Sequence, residues 1–320
     1  MGKGTLLVSI PKGWAKKNKL TKAATVVVEE LSERRLIVRP LEEKALQEEI
    51  VVDYPREDLT YVINDVTGAY LLGYDIIRIQ AKSVVTREDR ERLKSTIGRL
   101  IGLEIMDEDS KKFTLQFMLE STALNPERIA KRMVGIIEGM LKDTREGVAA
   151  GDPGILSLVE ARDDEVDRLY FLLVRTVRRA TIDPQVAERY KLLPVEILDY
   201  RVLASFLESV GDTVAELSKR LEEALPRDRE ANDFVECLKK LEAMQDLAIQ
   251  SFLTRKASRS RGVYLQIRSL EKEVSELSTK IVRHGDRATH NLVELVGLLE
   301  RASKIFADIA DLSTPTYPTS

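Results

Sequence analysis

Long apolar stripes at helical spacing run from Asn125 almost to Leu312. In one of them, apolar residues recur at intervals of four and three, which places them along one side of an α-helix: Leu203, Leu207, Val210, Val214, Leu217 and Leu221. A second stripe has nearly the same spacing: Tyr264, Ile267, Leu270, Val274, Leu277 and Ile281. Each helix must bury its stripe against another helix, so the pattern predicts an up-and-down helical bundle.

The helical region also contains an internal repeat. Asp199-Tyr200-Arg201 is followed after nine positions by Glu208 and then Asp212, and Asn291-Leu292-Val293 is followed at the same interval by Glu300 and then Lys304. The repeat predicts two related three-helix bundles, at residues 123–225 and 226–313. The last residues, 314–320, contain two prolines and are expected to be a disordered tail.

Two smaller regions precede the bundle. Residues 46–122 alternate strand-like and helix-like segments and predict a small α+β domain, in which Thr86 and Asp89 form a capping box. Residues 1–45 predict a strand at residues 4–10, a helical turn after Pro11, and a hairpin. So few strands bury too little apolar surface to be stable alone, which favours dimerisation. The predicted fold class is therefore mainly α, with a β-containing N-terminal domain.

Charge is segregated along the chain. Residues 1–45 hold ten basic and five acidic groups, whereas the whole chain has a net charge of −3. The first 28 residues contain no acid and six lysines: Lys3, Lys12, Lys16, Lys17, Lys19 and Lys22. Lysine is common on protein surfaces for solubility alone, but a basic patch on an acidic protein favours a polyanionic partner. We expect these lysines to contact DNA, and a dimer would double the patch.

Four carboxylates form the other candidate site. Glu208 and Asp212 share a helix face displaced from the apolar stripe, and Asp163 and Asp167 have the same separation on the preceding helix. Two such pairs on adjacent helices would gather four carboxylates, as a hard divalent cation requires. The alternative is an ordinary solvated face whose charge is neutralised by Arg162, Arg168 and Arg201. In the second repeat, Lys304 and Ser275 stand at two of the corresponding positions, so no cation site is expected there.

Other chemistries have little support in the sequence. One cysteine, Cys237, and two histidines exclude an internal disulfide and an imidazole-rich metal site. No nucleophile or cofactor-binding loop accompanies the carboxylates, so catalysis is not expected. No apolar run approaches the ~18 residues that cross a bilayer, and a signal-peptide pattern is not seen. We therefore expect a cytoplasmic protein without membrane insertion.

The N-terminal region resembles the AbrB/SpoVT/MazE family of DNA-binding domains. The resemblance covers nearly all of residues 1–41 and is carried by Ser9-Ile10-Pro11-Lys12-Gly13-Trp14, Leu20-Thr21-Lys22, Val26-Val27-Val28 and Leu36-Ile37-Val38-Arg39-Pro40. It implies a swapped-hairpin fold, in which two chains exchange hairpins to form a dimer that binds DNA.

The helical region resembles PhoU, a regulator of phosphate uptake built from tandem three-helix bundles. Three segments carry the resemblance: residues 163–169, residues 207–212 and residues 299–302. The resemblance implies iron or another divalent cation at Asp163, Asp167, Glu208 and Asp212. The order of the three regions is similar to that of archaeal PhoU-related regulators with an AbrB-like N-terminus.

Together these features predict a homodimeric regulator of phosphate uptake that binds DNA and docks a phosphate transporter ATPase or a sensor kinase. Two alternatives remain open. The first is an adaptor whose N-terminal domain serves only for dimerisation and does not bind DNA. The second is a carboxylate-bridged metalloprotein with enzymatic turnover, which would depend on Glu208.

Overall fold

A computed structural model describes residues 7–32, 35–41, 48–54, 58–119, 124–223, 225–226, 228–254, 257–284 and 289–313. The chain divides into two compact units, residues 1–48 and residues 49–320. Lys3 and the tail at residues 314–320 lie outside the described residues, so the expectations for them are not tested.

The first unit contains one short helix and a hairpin. Helix α1 spans Lys12–Lys17, and the antiparallel strands β1 and β2 span Val26–Ser32 and Arg35–Pro40. The hairpin agrees with the sequence, but the strand predicted at residues 4–10 is not formed over residues 7–10. Residues 4–6 of that strand lie outside the described part of the chain. A β-strand needs a hydrogen-bonded neighbour, and the only described sheet in this unit is β1 with β2.

The second unit begins with a four-stranded sheet in the order β3-β4-β6-β5. Its strands are β3 (Glu49–Tyr54), β4 (Ile76–Ala81), β5 (Leu103–Glu108) and β6 (Lys112–Phe117), and its helices are α2 (Leu59–Leu72) and α3 (Arg87–Arg99). Strands β3 and β4 are parallel and joined through α2, whereas the other pairings are antiparallel. Thr86 caps α3 by accepting from the Asp89 amide, as the capping box predicts.

The remainder of this unit is helical. Its helices are α4 (Pro126–Ala150), α5 (Pro153–Ile182), α6 (Pro184–Tyr190), α7 (Pro194–Glu223), α8 (Asp228–Thr254), α9 (Ala257–His284) and α10 (Thr289–Asp311). Every residue of the predicted stripe on α7 is at most 1% exposed. Between α5 and α7, the short helix α6 forms because Asp183 accepts from the Gln185 amide and Pro184 begins the helix.

Two groups of three long helices share one core. Helix α4 packs against α5 and α7, and α8 packs against α9 and α10. The groups join through the pairs α4–α8 and α7–α10, and the buried apolar residues form one continuous cluster from Leu124 to Ala310. The predicted helical bundle is therefore confirmed. Within the described residues, no helix is long and apolar enough to cross a membrane.

A buried arginine joins the α+β part to this bundle. Arg175 of α5 is 4% exposed, and its guanidinium donates to the carbonyl of Tyr70 at 2.6 Å and to that of Gly73 at 3.2 Å. These carbonyls lie at the C-terminal end of α2, where the helix dipole favours a cation. The guanidinium also lies 3.8 Å from the centre of the Phe117 ring. Burial lowers the pKa of Arg175 to about 10, so the group remains charged at neutral pH.

Replacing Arg175 tests this connection. Arg175→Met removes the donors and leaves buried carbonyls with fewer partners, so the free energy of unfolding should fall by about 2–4 kcal/mol in urea denaturation. The control is Arg87→Met on α3, where the side chain is 92% exposed and a change within about 0.5 kcal/mol is expected. Equal losses in the two variants would contradict the assigned role of Arg175.

Candidate functional sites

The described N-terminal lysines are all exposed and close together in the chain. Two of them, Lys12 and Lys16, lie one turn apart on α1 and therefore share a face. Lys19 adopts a left-handed conformation, with φ of 53°, directly after the helix. The five described lysines are thus displayed on one short helix and the loop that leads to β1: Lys12, Lys16, Lys17, Lys19 and Lys22.

The second candidate site lies where α5 and α7 pack together. Oxygens of Asp167, Glu208 and Asp212 all lie within 4.8 Å of one another. Asp163, one turn before Asp167, is close enough that the charges of the other three act on it. We call these four residues the carboxylate cluster.

A glycine permits the close approach of the two helices at this point. A Cβ atom at Gly211 would lie 3.0 Å from Oδ1 of Asp163 and 3.1 Å from Cγ1 of Val166. Both distances are tighter than ordinary van der Waals contacts, so a Cβ atom here would require the side chains of Asp163 and Val166 to shift by a few tenths of an ångström. Gly211 lies immediately before Asp212, and its small size brings the carboxylates of the two helices together.

The cluster is electrostatically unfavourable as it stands. Burial, together with the negative charges of Asp212 and Asp167, raises the pKa of Asp163 to about 7. Burial is also the first cause of the raised pKa of Asp167 and of Glu208. Oδ1 of Asp163 is buried and has no hydrogen-bond partner among the described residues. Such an atom needs a proton or a cation to compensate its lost hydration.

The arginines expected to neutralise the cluster have other partners. Arg162 pairs with Asp143, Arg168 with Glu165, and Arg201 donates to the hydroxyl of Ser205. Arg201 still acts through space, since its charge lowers the pKa of Glu208.

The cation that contacts the cluster comes from the α+β part instead. Nη2 of Arg99, the last residue of α3, lies 2.7 Å from Oδ2 of Asp167. Sequence reasoning missed Arg99 because 68 positions separate the two residues and no local pattern connects them.

The second helical group differs at the corresponding place. Oγ of Ser275 lies 3.4 Å from Oε1 of Glu300, and Lys304 stands one turn further along α10. Within the described residues, the three-carboxylate grouping occurs only at the α5–α7 contact.

The donor set of the cluster fits a hard divalent cation. It offers only carboxylate oxygens, which suit magnesium, manganese or carboxylate-bound iron. The buried oxygen of Asp163 has no hydrogen-bond partner among the described residues, and a bound cation would supply the missing interaction. Asp163, Asp167, Glu208 and Asp212 would hold the ion, whose charge would compensate their mutual repulsion.

Sequence comparison identifies part of the helical region. Residues 130–221, from α4 through most of α7, match the PhoU domain family. This match contains all four residues of the carboxylate cluster and supports a PhoU-related protein. A search of curated protein sequences gave no match.

The raised pKa of Asp163 makes stability depend on pH. The folded-state pKa of about 7 exceeds the ordinary value of 3.8, so the native state holds the proton more tightly between these pH values. The free energy of unfolding of the metal-free protein should therefore fall as pH rises through this window. Asp163→Asn removes the cost of ionisation. Because the group is only half-buried, we expect a gain of about 1 kcal/mol at pH 8, which shrinks towards pH 5.

Thermal unfolding in the presence of a chelator, followed across that pH range, measures this effect. Glu138→Gln on the exposed side of α4 is the control and should follow the wild type. If Asp163→Asn and the wild type show the same pH profile, the carboxylate is not strained in the folded protein.

Proposed function

We propose that this protein, which carries a PhoU domain at residues 130–221, is a cytoplasmic, homodimeric, DNA-binding regulator of phosphate homeostasis. The PhoU match supports a role in the regulation of phosphate homeostasis. DNA binding is assigned to the N-terminal unit, and cation binding to the carboxylate cluster. The helical bundle would dock a phosphate transporter ATPase or a sensor kinase, and no catalytic step is required of it.

The exposed lysines are the observation that carries the proposed DNA contact. Five positive side chains lie within eleven residues that contain no acid, in a chain that is acidic as a whole. Phosphate contacts by such side chains release counterions and supply affinity without requiring a base sequence. The AbrB/SpoVT/MazE resemblance of the same residues adds a DNA-binding precedent to this electrostatic argument.

Dimerisation is proposed because the N-terminal unit leaves its apolar residues uncovered. Leu7, Val8, Val28 and Leu36 are 83, 77, 57 and 63% exposed, and Pro40 is the only residue of the unit that is buried among those described. A hairpin with so little core is marginal in water. A second copy of the unit would bury these residues and present the lysines twice.

Triple replacement of lysines tests the DNA contact. Lys12→Ala, Lys16→Ala and Lys17→Ala together should weaken binding and flatten the slope of log affinity against log salt by up to about three ion equivalents per protomer. Fluorescence anisotropy with duplex DNA at several salt concentrations measures the slope. The matched control replaces three exposed lysines of the second unit, Lys142, Lys239 and Lys272, and should leave the slope unchanged.

Light scattering on the same samples separates the alternatives. A wild-type dimer that fails to bind duplex DNA even at low salt would favour an adaptor whose N-terminal unit only dimerises. An unchanged slope in the triple variant would move the DNA contact to another surface.

A second replacement tests the proposed cation site. Glu208→Gln removes one charge from the cluster and should weaken Mn²⁺ binding at least tenfold in calorimetry, because carboxylate charge sets the affinity for hard cations. The matched control is Glu300→Gln, at the corresponding position of the second repeat beside Ser275. Mn²⁺ binding that survives Glu208→Gln unchanged would place the ion elsewhere.

A further inference from the structure

A side chain of the α+β part, that of Arg99, contacts the carboxylate cluster. Arg99 ends α3, and its guanidinium donates to Asp167 at 2.7 Å. Its side chain is 53% exposed and that of Asp167 is 26% exposed. The pair is therefore partly open to water, and it differs in this respect from the buried anchor at Arg175.

Asp167 cannot serve Arg99 and a divalent cation equally well. It is one of the three residues whose oxygens lie within 4.8 Å of one another, so an ion bound among them would lie close to the guanidinium. Two positive charges at such a separation repel each other, and the effect is largest where burial limits screening by water. A bound ion and the Arg99 pairing are thus in competition for the same carboxylate.

The surroundings allow the end of α3 to respond to this competition. A cavity of about 410 Å³ lies between α3, β5 and α5, and its lining includes Gly98, Ile101 and Arg168. Gly98 and Arg168 are the chain neighbours of Arg99 and Asp167, so the cavity lies next to the backbone segments that carry the pair. The other side of this segment is held firmly, because the Tyr70 hydroxyl donates to the Ile101 carbonyl at 2.9 Å. Movement would therefore be confined to the last turn of α3.

We propose that Arg99 is a built-in counterion that a divalent cation displaces from Asp167, so that the end of α3 reports whether the carboxylate cluster is loaded. In the metal-free protein, Arg99 neutralises part of the cluster and ties α3 to α5. In the loaded protein, the ion replaces that charge and the tie is released. Coupling of this kind is reciprocal. If a bound cation weakens the Arg99–Asp167 pairing by a given factor, the pairing weakens cation binding by the same factor.

The inference rests on the cation site proposed above, and Arg99→Gln tests it. Removal of the competing charge should tighten Mn²⁺ binding by about threefold to tenfold in calorimetry. The matched control is Arg132→Gln on α4. It removes the same charge from an ion pair with Glu165, which lies on α5 but outside the cluster. Its Mn²⁺ affinity should remain close to that of the wild type.

Hydrogen exchange supplies a second measurement that does not depend on activity. The amide of Leu100 donates to the Ile97 carbonyl, and the amide of Leu103 donates to the Leu100 carbonyl. In the wild type, Mn²⁺ should accelerate exchange of these amides. In Arg99→Gln, exchange should already be fast without Mn²⁺ and should not change further when the ion is added.

The outcomes distinguish this inference from the proposed function. If Mn²⁺ binds the wild type and is lost in Glu208→Gln, but Arg99→Gln changes neither affinity nor exchange, the counterion role is wrong while the cation site stands. If neither the wild type nor Arg99→Gln binds Mn²⁺, both proposals are overturned.

Discussion

The buried guanidinium of Arg175 fixes the geometry on which the rest of the second unit depends. It donates to backbone carbonyls at the end of α2 and lies against the Phe117 ring, while its own backbone belongs to a bundle helix. Because loss of its partners would leave a buried charge uncompensated, this contact favours the observed placement of α2 and β6 against α5. That placement brings the end of α3 beside Asp167, more than two helical turns earlier on the same helix.

The carboxylate cluster has the opposite energetic character. Arg175 has its hydrogen-bond needs met inside the protein, whereas the cluster contains a buried oxygen of Asp163 without a partner among the described residues. Packing of the α5–α7 seam, where Val166 and Val210 are fully buried, holds the acids together in spite of their repulsion. This cluster lies in the PhoU-matched segment, and its raised pKa values and unpartnered oxygen are the observations on which the proposed cation site rests.

The sequence alone predicts the features that depend on residues within a few positions of one another. The α7 stripe, the Thr86 cap and the four-residue separations of the carboxylates all follow from helical geometry. The structure contains the stripe and the cap, and it brings together three of the four carboxylates, Asp167, Glu208 and Asp212. Arg99 and Arg175 could not be found in this way, because their partners lie 68 and about a hundred positions away. Gly211 carries no signal until α5 is known to pack against it. The strand predicted at residues 4–10 is not formed over its described part, residues 7–10, for a related reason: a strand exists only with a neighbour, and the local sequence does not specify one.

The two helical groups differ in the charges that lie at their corresponding helix contacts. At the α9–α10 contact, Ser275 faces Glu300 and Lys304 follows one turn later, so little negative charge accumulates and the chain itself supplies the positive charge. At the α5–α7 contact, the corresponding positions are acidic; Arg99 pairs directly with Asp167, and the charges of Arg201 and Arg301 act on Glu208 through space. Because Arg99 belongs to the α+β part, the direct ion pair at this contact involves a second part of the fold. The acidic residues that distinguish the first repeat from the second therefore do more than add local charge. They also pair α5 with Arg99, the last residue of α3.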